Sequence, residues 1–463
     1  MRRMIRSGLA AFGLAAGMVF SGGLVHAQWG TGGMPGGIFS GADSGNNVDP
    51  TRFAFRPWLS ANGSYSQILG QDRLPPGART DFYGYGGAAG ISGVKAWEKT
   101  SIGLFYTANY QKYNHTFGIR GLSQVAGVTV RHRATDHVGL FASQMAGSSL
   151  GGFGYGAPAG IFGGWGLTGV SLMPAAGSVA APVEDFAANG LVDNELFSSR
   201  VNFYSTTAGA TYQPTMRWAF QGAFQAGYVR RKGRGLRDLN SIGAFGSASY
   251  RVSQRTVAGL NYGYSTFSYP NLFGDNQAQF ASIGVSHQLS PQTEISLQLG
   301  GYRMDTKSLG RAPVDPEIAA LLGVPAQLEV QERQYYGWMG TARLSRSWRE
   351  WSTSVAYSHG VNPGNGVILA SRRDTVFGSA ARSFGRVSFG AFGGYYRWSG
   401  LLQRSRLESG SVGVSTGFRV VGDLFLGFNA GYSYFETPST PRQWRRYAAA
   451  HLTWSPNAAA FRF

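Results

Sequence analysis

Cysteine is absent from all 463 residues of the chain. This absence excludes disulfide bonds, thiolate metal sites, cysteine nucleophiles and lipid attachment at an N-terminal cysteine. Long apolar runs are also missing, because beyond the N-terminal region no window reaches the roughly 18 apolar residues that a membrane-spanning helix requires. Acidic residues are few, with 23 Asp and Glu against 41 Lys and Arg. A disulfide scaffold and a bundle of membrane helices are therefore both excluded.

The chain is instead rich in glycine and aromatic residues, with 69 Gly, 30 Phe, 23 Tyr and 11 Trp. The glycines follow no Gly-X-Y period, which excludes a collagen-like fold. Many aromatic residues without long aliphatic runs favour an all-β fold, in particular a membrane β-barrel.

The stretch from Met216 to Arg231 shows the pattern from which most of the chain is built. Aromatic residues occupy alternate positions, and glutamine and small residues occupy the positions between them, which is the period of a strand with one apolar and one polar face. The run exceeds the roughly 5–6 residues of an ordinary strand. About 9–11 residues are enough for a tilted strand to cross a bilayer. The alternating aromatics are Trp218, Phe220, Phe224 and Tyr228.

The first residues have the order of a secretory signal. Arg2, Arg3 and Arg6 precede the apolar segment Leu9–Phe20, and Val25–Ala27 forms a small-x-Ala cleavage site. The sequence predicts a signal peptide over residues 1–27, cleaved by the Sec route near Ala27. A flexible, glycine-rich periplasmic lead-in is predicted over residues 28–52.

The formal charge of +18 falls to +15 when the three signal-peptide arginines are subtracted. Export argues against nucleic acid as the partner, and the arginines are dispersed rather than clustered on one face. The remaining interpretation is a cationic lumen or rim.

Alternation begins at Phe53 and continues almost to the C-terminus. We predict a transmembrane antiparallel up-and-down β-barrel over residues 53–463, with about 18 strands and 16 as the second choice. Short periplasmic turns and longer extracellular loops are expected to join the strands. A propeller has a similar repeat spacing, but these strands are too long for its blades.

Two interruptions are predicted to be outer loops. Residues 147–194 form the longer one, for which an inward, pore-constricting fold and an outward lobe both stay open. Residues 309–331 form the other, in which Asp315-Pro316-Glu317 predicts the start of a short helix and Gly323 its end.

The sequence does not contain a convincing catalytic or cofactor site. Tyr357–Asn362 resembles the His-x-Ser-Asn run of outer-membrane phospholipases, but Val361 stands where the nucleophilic serine is needed. The seven histidines do not show metal-ligand spacing, and the Gly-x-Gly runs are not followed by Lys-Ser/Thr. We therefore expect no enzyme activity, no metal and no cofactor.

The remaining candidate site is the lining of a channel, formed by charged and polar side chains on the polar faces of the strands. The period predicts lumen or rim arginines at positions 131, 133, 231 and 343 and lumen polar groups on four other residues. Each arginine has an alternative role in binding lipid phosphate at the rim. The predicted residues are Arg131, Arg133, Arg231 and Arg343, with Thr107, Asn109, Gln221 and Gln225.

The terminal Phe463, with Phe461, resembles the signal that outer-membrane proteins present to the barrel assembly machinery, although Pro456 separates it from the last strand. The hairpins Ser249–Tyr264 and Ser286–Gly300 resemble those of the large outer-membrane β-barrel porin families, some of whose members accompany exopolysaccharide export systems. The resemblance covers nearly all of residues 53–463 and implies a Gram-negative outer-membrane barrel in contact with lipids.

Three functions stay open at this stage: a porin-like channel for small anionic solutes, an export port for an acidic polysaccharide, and a surface-binding barrel whose lumen is plugged by residues 147–194. Association of the barrels as a homotrimer is also left open.

Overall fold

The protein is described here by a computed structural model. It describes residues 54–69, 80–114, 120–150, 200–232, 238–270, 275–313, 326–348, 350–364, 369–401, 406–436, 442–454 and 459–460. In these ranges, no helix has the length and apolar character that crossing a membrane requires. The predicted signal peptide, the lead-in, the helix after Asp315, and Phe461 and Phe463 lie outside the described residues.

The described chain consists almost entirely of β-strands, eighteen of which have between 12 and 22 residues. A further strand has two residues. The strands are β1 Ala54–Leu69, β2 Asp81–Ala96, β3 Thr100–Tyr113, β4 Arg120–Arg133, β5 Val138–Leu150, β6 Arg200–Tyr212, β7 Trp218–Lys232, β8 Leu239–Arg251, β9 Thr256–Ser268, β10 Asp275–Ser290, β11 Thr293–Pro313, β12 Ala326–Ser347, β13 Trp351–Gly364, β14 Leu369–Phe384, β15 Val387–Gly400, β16 Arg406–Val421, β17 Leu424–Glu436, β18 Gln443–Trp454 and β19 Ala459–Ala460.

Each long strand pairs antiparallel with its sequence neighbours, and β1 also pairs with β18. The closing ladder runs from Leu59 opposite Trp454 to Leu69 opposite Trp444. Closure pairs the first long strand with the last, so the sheet has no terminal edge of the kind that hydrocarbon cannot satisfy with hydrogen bonds. The predicted barrel of about 18 strands is confirmed, and the 16-stranded alternative is wrong.

The two ends of the barrel differ in the length of their connections. At one end, called the short-turn end, the turns include Ser290–Thr293, Gly385–Arg386 and Gly422–Asp423. Gly385 and Gly422 have φ of 54°, the left-handed conformation that a two-residue hairpin turn needs. The strand β1 begins and β18 ends at this end. The opposite end, called the long-loop end, carries the connection of residues 151–199 between β5 and β6.

The bounds of both predicted outer loops differ from those expected. Gly147–Leu150 belongs to β5 and β6 begins at Arg200, so the first connection runs over residues 151–199 and not 147–194. The second is shorter than predicted, because β11 extends to Pro313 and β12 begins at Ala326, in place of a loop over 309–331. At the start of β12, Leu328 and Val330 alternate with Gln327, Glu329 and Gln331, as in the other strands.

The C-terminal tail resumes pairing after Pro456. Ala459 and Ala460 of β19 lie opposite Phe55 and Ala54 of β1. The break in the last strand is therefore followed by a short segment that covers the start of the first strand.

Candidate channel lumen

The alternation of exposure along β7 identifies the inner and outer faces of the barrel wall. The aromatic side chains of Trp218, Phe220 and Phe224 are exposed, whereas Ala219 and Ala223 between them are buried. Residues directly opposite each other in a ladder point to the same side, so the register carries this assignment around the barrel.

The outer face is an apolar belt. Its exposed side chains are aliphatic or aromatic on strands all around the wall, as a lipid-facing barrel surface requires. Examples are Leu59, Leu104, Tyr106, Leu140, Trp218, Phe224, Leu260, Ile283, Leu299, Trp338, Val412, Val414, Phe428 and Leu452.

Inward aromatic rings repeatedly lie over the glycine directly opposite on the next strand. A Cβ atom added to Gly209 would be 2.5 Å from the Phe141 ring, and one added to Gly147 would be 2.6 Å from the Phe203 ring. Such distances are below any real Cβ contact, so the rings occupy the space that glycine leaves. The same pairing joins Trp58 to Gly90, Phe105 to Gly127, Phe280 to Gly263, Tyr302 to Gly337 and Phe392 to Gly413. The rings lie along the wall and not across the lumen.

The sequence-predicted polar residues lie on the inner face. Thr107 and Asn109 alternate with the exposed Tyr106 and Tyr110 on β3, and Gln221 and Gln225 alternate with Phe220 and Phe224 on β7. Thr107 is buried, and the Asn109 Oδ1 atom has no hydrogen-bond partner in the described part of the chain.

The four predicted arginines also lie on the inner face, but not together. Arg131, opposite the inward Ser101, and Arg133 are exposed near the short-turn end of β4. Arg343 is exposed at the same end of β12, opposite Ser296. Arg231 is at the long-loop end of β7 and is buried, with its backbone N–H donating to the Asp238 carboxylate at 2.8 Å. Arg231 is therefore part of the wall.

Further inward arginines were not predicted from the sequence. Register places Arg251 at the short-turn end and Arg333, Arg373 and Arg445 in the long-loop half. Within the described strands, the same alternation turns two acids inward, Glu294 and Glu329. Glu294 accepts a hydrogen bond of 2.7 Å from Ser286. Positive charge therefore predominates on the inner face.

Arg373 has the most distinctive surroundings of these arginines. Its guanidinium carbon lies 5.5 Å from the Tyr396 ring centre and 5.8 Å from that of Trp398. The two rings are stacked on the inner face of β15, with centroids 6.1 Å apart. The Nε and Nη1 atoms of Arg373 are buried without a hydrogen-bond partner among the described residues. An anion with a flat apolar body would satisfy both the guanidinium and the rings.

An apolar cluster fills the inner side of the wall from β8 to β12 at the long-loop end. Its buried members come from five strands, and Val361 and Leu401 pack against them. The cluster makes the inner side of the wall apolar at this level. The buried members are Leu239, Phe267, Tyr269, Ala278, Tyr302, Met304 and Met339.

Other arginines lie on the outer face. Glu408, which is buried, is 3.8 Å from both Arg397 and Arg442 and is also paired with Arg406. Arg442 is paired with Glu436 at 2.9 Å. This network lies on the outer face at the long-loop end.

The Tyr357–Asn362 run forms a polar contact of a different kind from the phospholipase site. The His359 Nδ1 atom lies 2.6 Å from the Asp374 carboxylate, and Tyr357 donates a hydrogen bond of 3.3 Å to the same carboxylate. Ser358 points to the opposite face, opposite Thr341. Among the described residues, no three His, Cys, Asp or Glu side chains are grouped so that they could hold a metal ion.

Comparison with known proteins gives structural neighbours of low sequence identity. No protein-family model matches the chain. No curated protein matches it in sequence. The structural neighbours include Pseudomonas aeruginosa OccK5 (OpdH), with 9% identity, 87% of this chain and 98% of that chain covered, and a TM-score of 0.40. Acinetobacter baumannii OccAB4 is 8% identical, with 88% and 100% covered and a TM-score of 0.42.

A third neighbour is Pseudomonas aeruginosa OccK2 (OpdF), whose crystal structure is a complex with glucuronate. It is 10% identical, with 87% of this chain and 98% of that chain covered and a TM-score of 0.42.

Proposed function

We propose that the protein is an outer-membrane channel that conducts small anionic solutes through a cationic lumen. The observation that carries this proposal is the predominance of inward arginines over inward acids in a closed barrel with an apolar outer belt. The potential of fixed charges in a narrow, low-dielectric passage favours counter-ions, so a lumen lined by arginine favours anions.

The arginines are distributed along the passage. Arg131, Arg133 and Arg343 lie near the short-turn end, and Arg373 lies in the long-loop half. An anion that leaves one group therefore meets another before it reaches the far end. Conduction requires binding that is strong enough for entry and weak enough for release, and several weak sites in series satisfy this requirement.

The orientation and processing are part of the same proposal. Residues 1–27 direct export, and residues 28–52 lie in the periplasm. The barrel assembly machinery recognises Phe461 and Phe463. The short-turn end then faces the periplasm and the long-loop end faces outward, as in other outer-membrane barrels. The proposal involves no enzymatic step, metal or cofactor.

A second candidate is export of an acidic polysaccharide, which the Arg373 site favours. Stacked Tyr396 and Trp398 rings offer a platform for the apolar face of a sugar, and the adjacent guanidinium suits its carboxylate. This candidate predicts that an acidic oligosaccharide blocks the small-ion current from the periplasmic side, whereas a neutral oligosaccharide of the same length does not.

The test of the proposed channel is the reversal potential of the purified mature protein in a planar bilayer under a salt gradient. A steady conductance whose reversal potential has the sign of anion selectivity supports the proposal. A cation-selective conductance contradicts it. If the folded barrel carries no current until residues 151–194 are deleted, the plugged barrel is supported instead.

A further inference from the structure

The ladder between β12 and β13 is the shortest of those between long strands in the described barrel. It joins Gly340–Ser347 to Ser352–His359 and ends at the pair Gly340 and His359. Both strands continue past this point toward the long-loop end, β12 back to Ala326 and β13 on to Gly364. We call the interval between these continuations the split.

Each strand keeps its other partner along the split. Residues 335–339 of β12 lie opposite residues 300–304 of β11, and residues 360–362 of β13 lie opposite residues 371–373 of β14. The continuations are therefore ordinary strands, paired on one side. In hydrocarbon, an unpaired strand edge costs free energy because lipid does not form hydrogen bonds with it. The split begins beside the apolar belt, since its first unpaired step follows Gly340, which lies opposite the exposed Leu299, so a function should be sought for it.

The inner side of the split is apolar. Tyr335 and Met339 of β12 and Tyr302 and Met304 of β11 belong to or pack against the apolar cluster on the inner face. Val361 of β13 lies opposite Arg372, on the outer-face register, and packs against the same cluster from the other edge of the split. The cluster therefore extends to both edges of the split. A lining of this kind suits an acyl chain and does not assist a small hydrated anion.

A cationic group lies beside the same opening. Arg373 is directly opposite Gly360, the first residue of β13 beyond the ladder. Its Nε and Nη1 atoms are buried and have no hydrogen-bond partner within the described chain. A carboxylate would supply the missing acceptors through a charge-assisted pair.

The outer side of the split is closed at its lower end by one aromatic contact. The exposed Trp338 ring stacks on His359, with centroids 3.9 Å apart and the planes at 12°. His359 is buried and is held from the other side by Asp374. Trp338 thus reaches across the first step beyond the ladder and covers it toward the lipid.

We propose that the split is a lateral portal for long-chain carboxylic acids, which bind with the carboxylate at Arg373 and the acyl chain on the apolar cluster and pass between the lumen and the lipid leaflet at the long-loop end. This inference rests on the membrane location proposed above, but it does not depend on anion conduction. It adds a class of amphiphilic ligand to a barrel whose remaining lumen is polar and cationic.

The probe that tests the portal is palmitic acid bearing a diazirine on its chain, added to the mature protein in phosphatidylcholine vesicles. After photolysis, the labelled residues are identified by peptide mass spectrometry. The portal predicts label on the inward Tyr302 and Met304, in addition to the outward Leu299 that lipid contacts in any case. Label on Leu299 without label on Tyr302 and Met304 would overturn the proposal.

Two arginines of β14 provide a matched comparison, because the register places Arg373 on the inner face beside the split and Arg382 on the outer face at the short-turn end. Arg373→Gln should lower the label on Tyr302 and Met304 by roughly tenfold, the factor expected for loss of a charge-assisted pair. Arg382→Gln should leave that label unchanged. Equal labelling in the two variants would contradict the assignment of the carboxylate to Arg373.

Closing the split provides a second test. The protein has no cysteine, so an introduced pair is the only thiol pair present. Met339→Cys with Gly360→Cys places thiols at the first step beyond the ladder, where a Cβ on Gly360 meets no atom within 4 Å. Thr341→Cys with Ser358→Cys is the control inside the ladder. Each pair is bridged with a short bismaleimide. The bridge should abolish the label on Tyr302 and Met304 in the Met339→Cys, Gly360→Cys variant and leave it unchanged in the control variant. Unchanged label in the first variant would overturn the portal.

Failure of the portal and failure of the channel are distinguishable in the same preparation. A barrel with an anion-selective current and no inward label disproves the portal alone. A folded barrel with inward label and no current disproves the channel alone.

Discussion

The Phe141 ring lies over Gly209, the residue directly opposite it on the neighbouring strand, so closely that a Cβ atom at Gly209 would be 2.5 Å from the ring. The same arrangement recurs around the inner wall. It gives several of the 69 glycines a packing role, because an inward aromatic ring fills the space that a side chain at the glycine would occupy.

This relationship predicts the effect of adding a side chain at Gly209. Gly209→Val should destabilise the barrel by roughly 1–3 kcal/mol, because the added Cβ would lie too close to the Gly222 carbonyl oxygen and 2.5 Å from the Phe141 ring, so that the backbone and the ring both have to shift. Urea unfolding in lipid vesicles measures the change. Gly222→Val is the matched control, since a Cβ at Gly222 meets no atom within 4 Å. Equal destabilisation by the two variants would show that the ring contact is not responsible.

The apolar belt predicts a strong difference between the two faces of the wall. Ile283, on the outer face of β10, has 66% of its side chain exposed. Ile283→Arg should cost about 2–4 kcal/mol of unfolding free energy if this face lies at the middle of a bilayer. Gln225→Arg, on the inner face of β7, should cost far less because the guanidinium remains in a polar lumen. A small effect at Ile283 would contradict the membrane location.

The outer network around Glu408 predicts a contrast between a buried and an exposed acid. Glu408→Gln should lower the unfolding free energy by about 1–3 kcal/mol, because Arg397, Arg406 and Arg442 would lose the carboxylate that they surround. Glu332→Gln, whose carboxylate is 2.6 Å from Lys307 on the exposed hairpin, should cost about 0–1 kcal/mol. The same urea titration compares them. An equal cost would indicate that Glu408 is not structurally important.

Much of the fold follows from the sequence, because alternation is a local property. The strand predicted from Trp218 to Arg231 is observed as Trp218–Lys232, and Ser101–Tyr113 is observed as Thr100–Tyr113. The alternation also placed Arg131 and Gln225 on the inner face. The loop at residues 309–331 was predicted too long because β11 and β12 continue to Pro313 and from Ala326, although Leu328 and Val330 already alternate with polar residues in this stretch.

The features that depend on pairing were not accessible from the sequence. Arg372 and Arg373 are identical neighbours, and only the register of β14 with β13 shows that Arg373 is the inward one. Burial of Arg231, whose backbone N–H donates to Asp238, does not follow from the alternation. The split depends on where the ladder from Gly340 to Ser347 ends. Asn362-Pro363-Gly364 marks the end of β13 in the sequence, but the continuation of β12 without β13 as its partner is not marked there.

The most direct test of the cationic lumen compares two pairs of arginines on opposite faces of the wall. Arg131→Gln with Arg133→Gln removes inward charge at the short-turn end, whereas Arg346→Gln with Arg382→Gln removes the same charge from the outer face at the same end. The reversal potential under a salt gradient should move toward the value of a non-selective channel in the first variant and stay at the wild-type value in the second. An unchanged reversal potential in the first variant, or equal shifts in both, would contradict the account.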